Sequence, residues 1–291
     1  MTMAVSKAVG EGAKAVICAS TGNTSASAAA YAAAAGITSV VLVPQGKISL
    51  GKLSQAVAHK AKILQVQGNF DDCLTLARDL SDNYPVHLVN SVNPDRIEGQ
   101  KTGAFEVFDS LGRAPDYHVL PVGNAGNYSA YFKGYLEDFN EGRIKVVPKM
   151  YGYQAEGSAP FVHGGPVKNP DTIATAIRIG NPASWDLAQS AMECSMGKFG
   201  AVSDAEILWM HRFLSQEAGV FVEPSSATGA AGIYKASQQG ESFAGALIVV
   251  TVTGHGLKDP MWALKDEAGN EISPEAVSAN AAEVAERLGL A

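Results

Sequence analysis

Two stretches of this chain set small polar side chains and glycines between an apolar run and a helix-forming run: Ser20-Thr21-Gly22-Asn23-Thr24-Ser25 and Gly123-Asn124-Ala125-Gly126-Asn127. Where a strand ends in such a loop and a helix begins, unpaired backbone N–H groups and the positive end of the helix dipole face outward, and glycine lets a ligand approach the backbone. The chemistry on offer is the grip of a phosphate or carboxylate, at the carboxyl ends of strands where open α/β sheets bind ligands. One such loop reads equally well as a tight turn with a Ser or Asn cap. Two in one chain tilt the balance toward anion binding.

Two further segments extend the set. Asn90-Ser91-Val92-Asn93-Pro94-Asp95-Arg96 places an arginine five residues after a serine in a loop broken by proline, a composition suited to bidentate capture of a phosphate. The plainer use of Arg96 is an interdomain ion pair, and Lys101 just beyond reads as part of a solvated helix face. Thr251-Val252-Thr253-Gly254-His255-Gly256 follows the most apolar run and brings hydroxyls, an imidazole and two glycines to a strand's end. A turn threonine and a satisfied loop histidine account for it as well. No C-x-x-C, H-E-x-x-H or G-x-S-x-G motif occurs, and the six histidines do not cluster. Chemistry at these loops then belongs to an organic cofactor or to nothing.

The elements that must position the loops alternate between short β-branched runs and Ala-rich amphipathic stretches, the pattern of parallel sheets with crossover helices. Strands are predicted at 15–19, 39–43, 62–67, 86–90, 118–122, within 145–154 and at 246–252. Helices are predicted at 23–35, ended by Gly36, and at 53–60, 70–82, 99–111, 128–140, near 184–196 and at 204–217. The alternation restarts after residue 98, which divides the chain into a smaller α/β domain (1–98) and a larger one (99–291). The Ala-rich stretch after Asn23 implies close packing of helix on sheet. Met1, Val5, Ala8 and Val9 fall at helical spacing with no cap or turn before them, so the chain is expected to begin inside a helix, as a truncation or an internal start leaves it.

Composition narrows the partners. With 22 Lys+Arg against 29 Asp+Glu there is no basic stripe for nucleic acid or an anionic membrane. The apolar runs are strand-length, well short of the ~20 residues that span a bilayer. Cys18, Cys73 and Cys194 are odd in number and far apart, which suits buried thiols in a reducing cytoplasm better than a disulfide framework.

Taken together, STGNTS at 20–25, NSVNPDR at 90–96, GNAGN at 123–127, AIRIGNPASW at 176–185 and TGHGLKDP at 253–260 resemble threonine synthase, in its order and over essentially the whole chain. The resemblance implies a tryptophan-synthase-β-like fold of two three-layer domains with pyridoxal 5′-phosphate between them. It implies that Asn23 bonds the cofactor's ring hydroxyl, that Gly123, Asn124, Ala125, Gly126 and Asn127 wrap its phosphate, and that Thr253 faces its pyridine nitrogen. The substrate implied is O-phospho-L-homoserine, converted with water to threonine and phosphate by γ-elimination and β-addition. Thr24, Ser91, Arg96 and Asn124 would grip its phosphate, and Ser20 would position its amino acid part. A homodimer is the habit of the family.

The family's Schiff-base lysine belongs to an SFKDRG-type motif just before the helix that opens here, and this sequence does not contain that motif. Lys7, Lys14, Lys47, Lys52 and Lys101 stand outside it, so the resemblance assigns no catalytic lysine among them. The expectation is noncovalent cofactor binding and little or no turnover by these residues alone. The alternatives are a noncatalytic protein that binds the cofactor or phosphate, such as a degenerate paralogue, and a neighbouring enzyme family such as threonine dehydratase or cysteine synthase, whose phosphate loops are richer in glycine.

Overall fold

The computed structural model describes residues 1–46, 50–266 and 269–290, with backbone alone for 50–52. The chain opens with α1 (Thr2–Gly10), β1 (Ala15–Ala19), α2 (Asn23–Ala35), β2 (Thr38–Pro44), α3 (Leu50–Ala58), β3 (Lys62–Val66), α4 (Phe70–Asn83) and β4 (Val86–Leu88). It crosses through α5 (Pro94–Gln100) and α6 (Thr102–Leu111) to β5 (Tyr117–Pro121), α7 (Gly126–Asn140), β6 (Lys149–Ala155), α8 (Pro160–His163), α9 (Trp185–Cys194), β7 (Lys198–Val202), α10 (Asp204–Glu217), α11 (Pro224–Gln238), β8 (Ile248–Val250) and α12 (Ala281–Arg287).

Two four-stranded sheets result, ordered β3-β2-β1-β4 and β7-β6-β5-β8, with every pairing parallel. Parallel strands need both faces covered, and the two-residue period divides the side chains accordingly. Val16 and Cys18 of β1 join α1, α2 and α3 in one core, whereas Ile17 and Ala19 turn to Cys73 and Ala77 of α4. In the second sheet Leu120 and Met150 pack with Tyr128 and Tyr135 of α7 and Ala188 of α9. The opposite face carries Tyr151 and Tyr153 with Val119 of β5 and Ile233 of α11, and Ala155 with Ile207 of α10 and Ala227 of α11. The expected three-layer architecture is present twice.

The Ala-rich helix behaves as its composition implies. Ala28, Ala29 and Ala32 are fully buried, and Gly36 closes α2 in the left-handed conformation at φ 69°. Three readings need correction. The helix expected at 99–111 is two helices joined at Lys101, because α7 presses into the joint: a Cβ on Gly134 would lie 2.3 Å from the Lys101 carbonyl oxygen. Neither α11 nor β7 was anticipated. Cys194 is exposed, while Cys18 and Cys73 are buried. Burial raises both of those thiols, Cys18 to about 12. In the native state a thiol reagent should therefore modify Cys194 alone, and Cys194→Ser should leave no reactive thiol until the chain is unfolded. Fast modification of a second cysteine, read by mass, would contradict this burial.

Among the described residues no helix is long and apolar enough to cross a membrane, and no group of His, Cys, Asp and Glu could hold a metal ion.

Candidate active site

Each sheet reverses its strand order once. The chain lays down β1, β2 and β3 in one direction and then places β4 on the other side of β1; β5 to β8 repeat the pattern. A crevice opens at such a switch point, outside the carboxyl ends of the flanking strands. Those strands are β1 and β4 in one sheet and β5 and β8 in the other, and the four loops singled out from sequence follow these four strands. They meet in a cavity of about 550 Å³ lined by Ser20, Asn23, Thr24, Ser91, Arg96, Gly123, Asn124, Ala125, Gly126, Asn127 and Thr253, every residue the sequence nominated.

Local hydrogen bonds set each loop. The Asn90 side chain acts as a short strand beside β1, accepting from the Ala19 N–H and donating to the Ala19 carbonyl, both at 2.9 Å. Asn93 caps α5 by accepting from the Asp95 N–H at 2.7 Å, and Pro94 takes the first helical position. These bonds fix Ser91 and Arg96 at the cavity. In the GNAGN loop, Asn127 Nδ2 donates to the Pro121 carbonyl at 2.7 Å, and Asn124 Oδ1 accepts from the Ala183 N–H at 3.2 Å.

Two of the helix starts at the cavity are uncapped. Asn69 and Ser203 close capping boxes on α4 and α10. By contrast α2 and α7, which open from the two anion-type loops, have no side-chain cap and no acidic residue in the first turn. Their leading N–H groups are left for a ligand. Ala125 enters α7 at φ 61°, and a Cβ on Gly22 would meet no atom within 4 Å. Uncapped helix starts of this kind can hold a phosphate. On the far side, Ser226 Oγ accepts from the Gly254 N–H at 2.7 Å and lies 2.9 Å from Thr253 Oγ1. A hydroxyl is thereby oriented at the cavity wall, which the carboxamide of Asn23 also lines. Phosphate cradle, amide and hydroxyl together fit a phosphorylated pyridine cofactor.

Sequence reasoning missed what α11 contributes. Glu223, Ser225 and, through Thr253, Ser226 belong to the site, and Ser225 Oγ accepts from the Ala176 N–H at 3.1 Å to hold the 175–179 segment against the cavity. Arg178 and Lys258 also line it. The segment Pro-Ser-Ser-Ala-Thr-Gly carries no helix signal. Its helix exists because every residue from Pro224 to Gly232 is buried on the second sheet. Gly232 makes that approach possible, since a Cβ there would lie 2.1 Å from the Tyr153 ring.

Fold and site define a pyridoxal-phosphate dependent enzyme, and the family model of that description matches residues 1–254. A threonine synthase of Mycobacterium tuberculosis is 59% identical over 292 residues, covering 100% of this chain and 80% of that protein. The threonine synthase of Synechocystis sp. is 55% identical over 272 residues, covering 94% and 70% respectively. The chain belongs to the threonine synthase family. The solved serine racemase of maize matches with a TM-score of 0.72 over 86% of this chain and 74% of its own, at 19% identity, a likeness of fold alone.

Proposed function

We propose that the chain brings O-phospho-L-homoserine to pyridoxal phosphate in this cavity, the site of a lyase reaction in which water and phosphohomoserine yield L-threonine and phosphate. The observation that carries the reading is Arg96. Its guanidinium lines the cavity, and burial holds its pKa below the usual range. Among the described residues it has no carboxylate partner, and its one hydrogen bond is a 3.4 Å contact to the Val89 carbonyl. A cation withdrawn from water without a counter-ion is costly, and a phosphate supplies the missing charge. Ser91 Oγ and Asn124 Nδ2, 3.4 Å apart, offer short polar groups beside it. Thr24, in the uncapped first turn of α2, completes that set, and Ser20 would position the amino acid part.

For the cofactor, the 123–127 loop would hold the phosphate, Asn23 the ring hydroxyl and Thr253 the ring nitrogen. Ser226 would donate to Thr253, leaving the Thr253 proton to point at that nitrogen, and a neutral hydroxyl leaves the nitrogen unprotonated. Pyridoxal phosphate, when bound, supplies the sink for negative charge developed beside an imine. The small mobile unit of this reading is 1–98 and the larger 99–291, hinged through α5 and α6; a cytoplasmic homodimer belongs to the same proposal.

The reading assigns no covalent lysine within these residues. Asp95, 3.1 Å from Lys7, and Glu137, 2.8 Å from Lys101, raise the pKa of each ammonium, which makes both poor nucleophiles. Lys14 does not line the cavity, Lys258 is the one lysine among the described residues that does, and Lys47 and the side chain of Lys52 lie outside the described residues. Noncovalent binding with little or no turnover is the expected behaviour of the 291 residues.

The test is to load the purified chain with pyridoxal phosphate and titrate phosphohomoserine, threonine and O-acetylserine by calorimetry. Phosphohomoserine should bind more tightly by roughly tenfold or more, since the other two leave Arg96 unpaired. Equal binding of threonine or O-acetylserine would move the site to a dehydratase or cysteine-synthase chemistry. Borohydride treatment followed by mass measurement should leave no cofactor adduct; an adduct would mean that a lysine of this chain takes the role.

A further inference from the structure

The carboxylate of Glu223 stands where none was expected. It lies at the start of α11, 5% exposed, against Gly254, whose added Cβ would fall 2.2 Å from Glu223 Oε1. The Glu223 N–H donates to the Gly254 carbonyl at 2.9 Å, so the residue is seated on the loop that carries Thr253. Across the cavity, Asn23 Nδ2 donates to Glu223 Oε1 at 3.2 Å and reaches Oε2 at 3.4 Å. That contact joins residues 200 positions apart, one from each sheet unit, and both line the cavity.

We propose that Glu223 is a positioning residue that fixes which end of the Asn23 carboxamide meets the cofactor. The inference rests on the reading of Asn23 given above and deepens it. A carboxamide has two ends of nearly equal shape and opposite polarity, and only its hydrogen-bond partners decide which way it turns. A carboxylate only accepts, so Glu223 holds the NH₂ end toward itself. With the carboxylate taking one amide proton, the second, about 120° away on the planar nitrogen, would donate into the cavity. A ring oxygen at that point meets a donor and is favoured as the ionised acceptor. Without the carboxylate the amide is free to turn, and its own oxygen would then face the ring oxygen, which favours the protonated hydroxyl and weakens binding. Glu223 thereby sets both the affinity for the cofactor and the charge of its ring oxygen through Asn23.

The experiment titrates the purified chain with pyridoxal phosphate by absorbance, reading the dissociation constant and the ratio of the long-wavelength band of the ionised ring oxygen to the short-wavelength band of the neutral one. Glu223→Gln keeps the volume against Gly254 but donates as well as accepts. It should weaken binding roughly tenfold, the loss of about one hydrogen bond to a charged oxygen, and shift the ratio toward the neutral band. Asn23→Ala should give the same loss, and the double variant no more than either alone. With 3-deoxypyridoxal phosphate, which lacks the ring hydroxyl, wild type and Glu223→Gln should bind alike. An unchanged band ratio in Glu223→Gln, an equal loss with the deoxy analogue, or additive single variants would overturn the inference while leaving the cofactor site in place. No binding of pyridoxal phosphate by the wild-type chain would overturn the site reading and this inference with it.

Discussion

Arg96→Ala should weaken binding of phosphohomoserine to the cofactor-loaded chain by about two orders of magnitude or more, because two charge-assisted hydrogen bonds at ~1.5–3 kcal/mol each are removed. The absorbance of bound pyridoxal phosphate should stay where it was, since the cofactor phosphate is assigned to the 123–127 loop. Arg96→Lys should recover only part of the loss: a point charge replaces the planar fork that meets two phosphate oxygens at once. A second expectation runs against the usual direction of mutation. The guanidinium is largely buried, its pKa is lowered by that burial, and among the described residues no carboxylate offsets it. Its removal should therefore raise the unfolding temperature of the ligand-free chain, the behaviour of a residue kept for binding at some cost in stability. Loss of cofactor absorbance in Arg96→Ala, or a lower unfolding temperature with unchanged phosphohomoserine affinity, would mean that Arg96 serves the fold.

Much of this site could be read from sequence because it is built from loops whose neighbours in the chain announce them. A β-branched run, then small polar residues and glycine, then a helix-forming run is a local signal, and it occurs after β1 and β5, where the switch points fall. The end of α2 was legible because Gly36 does the ending, whereas the start of α5, capped by Asn93 with Pro94 in its first position, reads in sequence as a loop. What was not legible depends on partners distant in sequence. The helix from Pro224 is held by burial against a sheet, and its Ser, Thr and Gly content argues for a loop until that sheet is in view. Gly200 weakens the strand signal of β7, yet a Cβ there would lie 2.6 Å from the Tyr153 ring of the neighbouring strand, so packing requires what propensity disfavours. Glu223 gave no signal at all. Its significance comes from Asn23, which only the meeting of two sheets brings within reach.

His118 carries the second large effect. It sits on β5 with no exposed surface, Nδ1 lying 2.7 Å from the Tyr135 hydroxyl and Nε2 2.7 Å from Thr251 Oγ1. The Tyr131 ring packs edge-on at 4.6 Å. Both partners are hydroxyls that suit a neutral imidazole, and burial lowers the pKa to about 3. In the unfolded chain the ring titrates at its ordinary value near 6.5, so between pH 6.5 and 3 the unfolded state binds a proton that the folded state does not. Stability from this group is therefore complete above about pH 6.5 and falls as the pH drops, by ~1.4 kcal/mol per pH unit once well below that value. His211, lowered by burial as well, adds to the loss in the same window. Glu98, Glu137 and Glu206, with pKa values lowered by their partners or by backbone bonds, add theirs only below about pH 4.5. In urea unfolding between about pH 6.5 and 5, His118→Gln should reduce the pH slope by about one proton's worth while His211 keeps its own. An unchanged slope would mean that the His118 ring is protonated in the fold. Thr251 stands two residues before Thr253, so the same imidazole anchors the strand end that carries the hydroxyl assigned to the ring nitrogen.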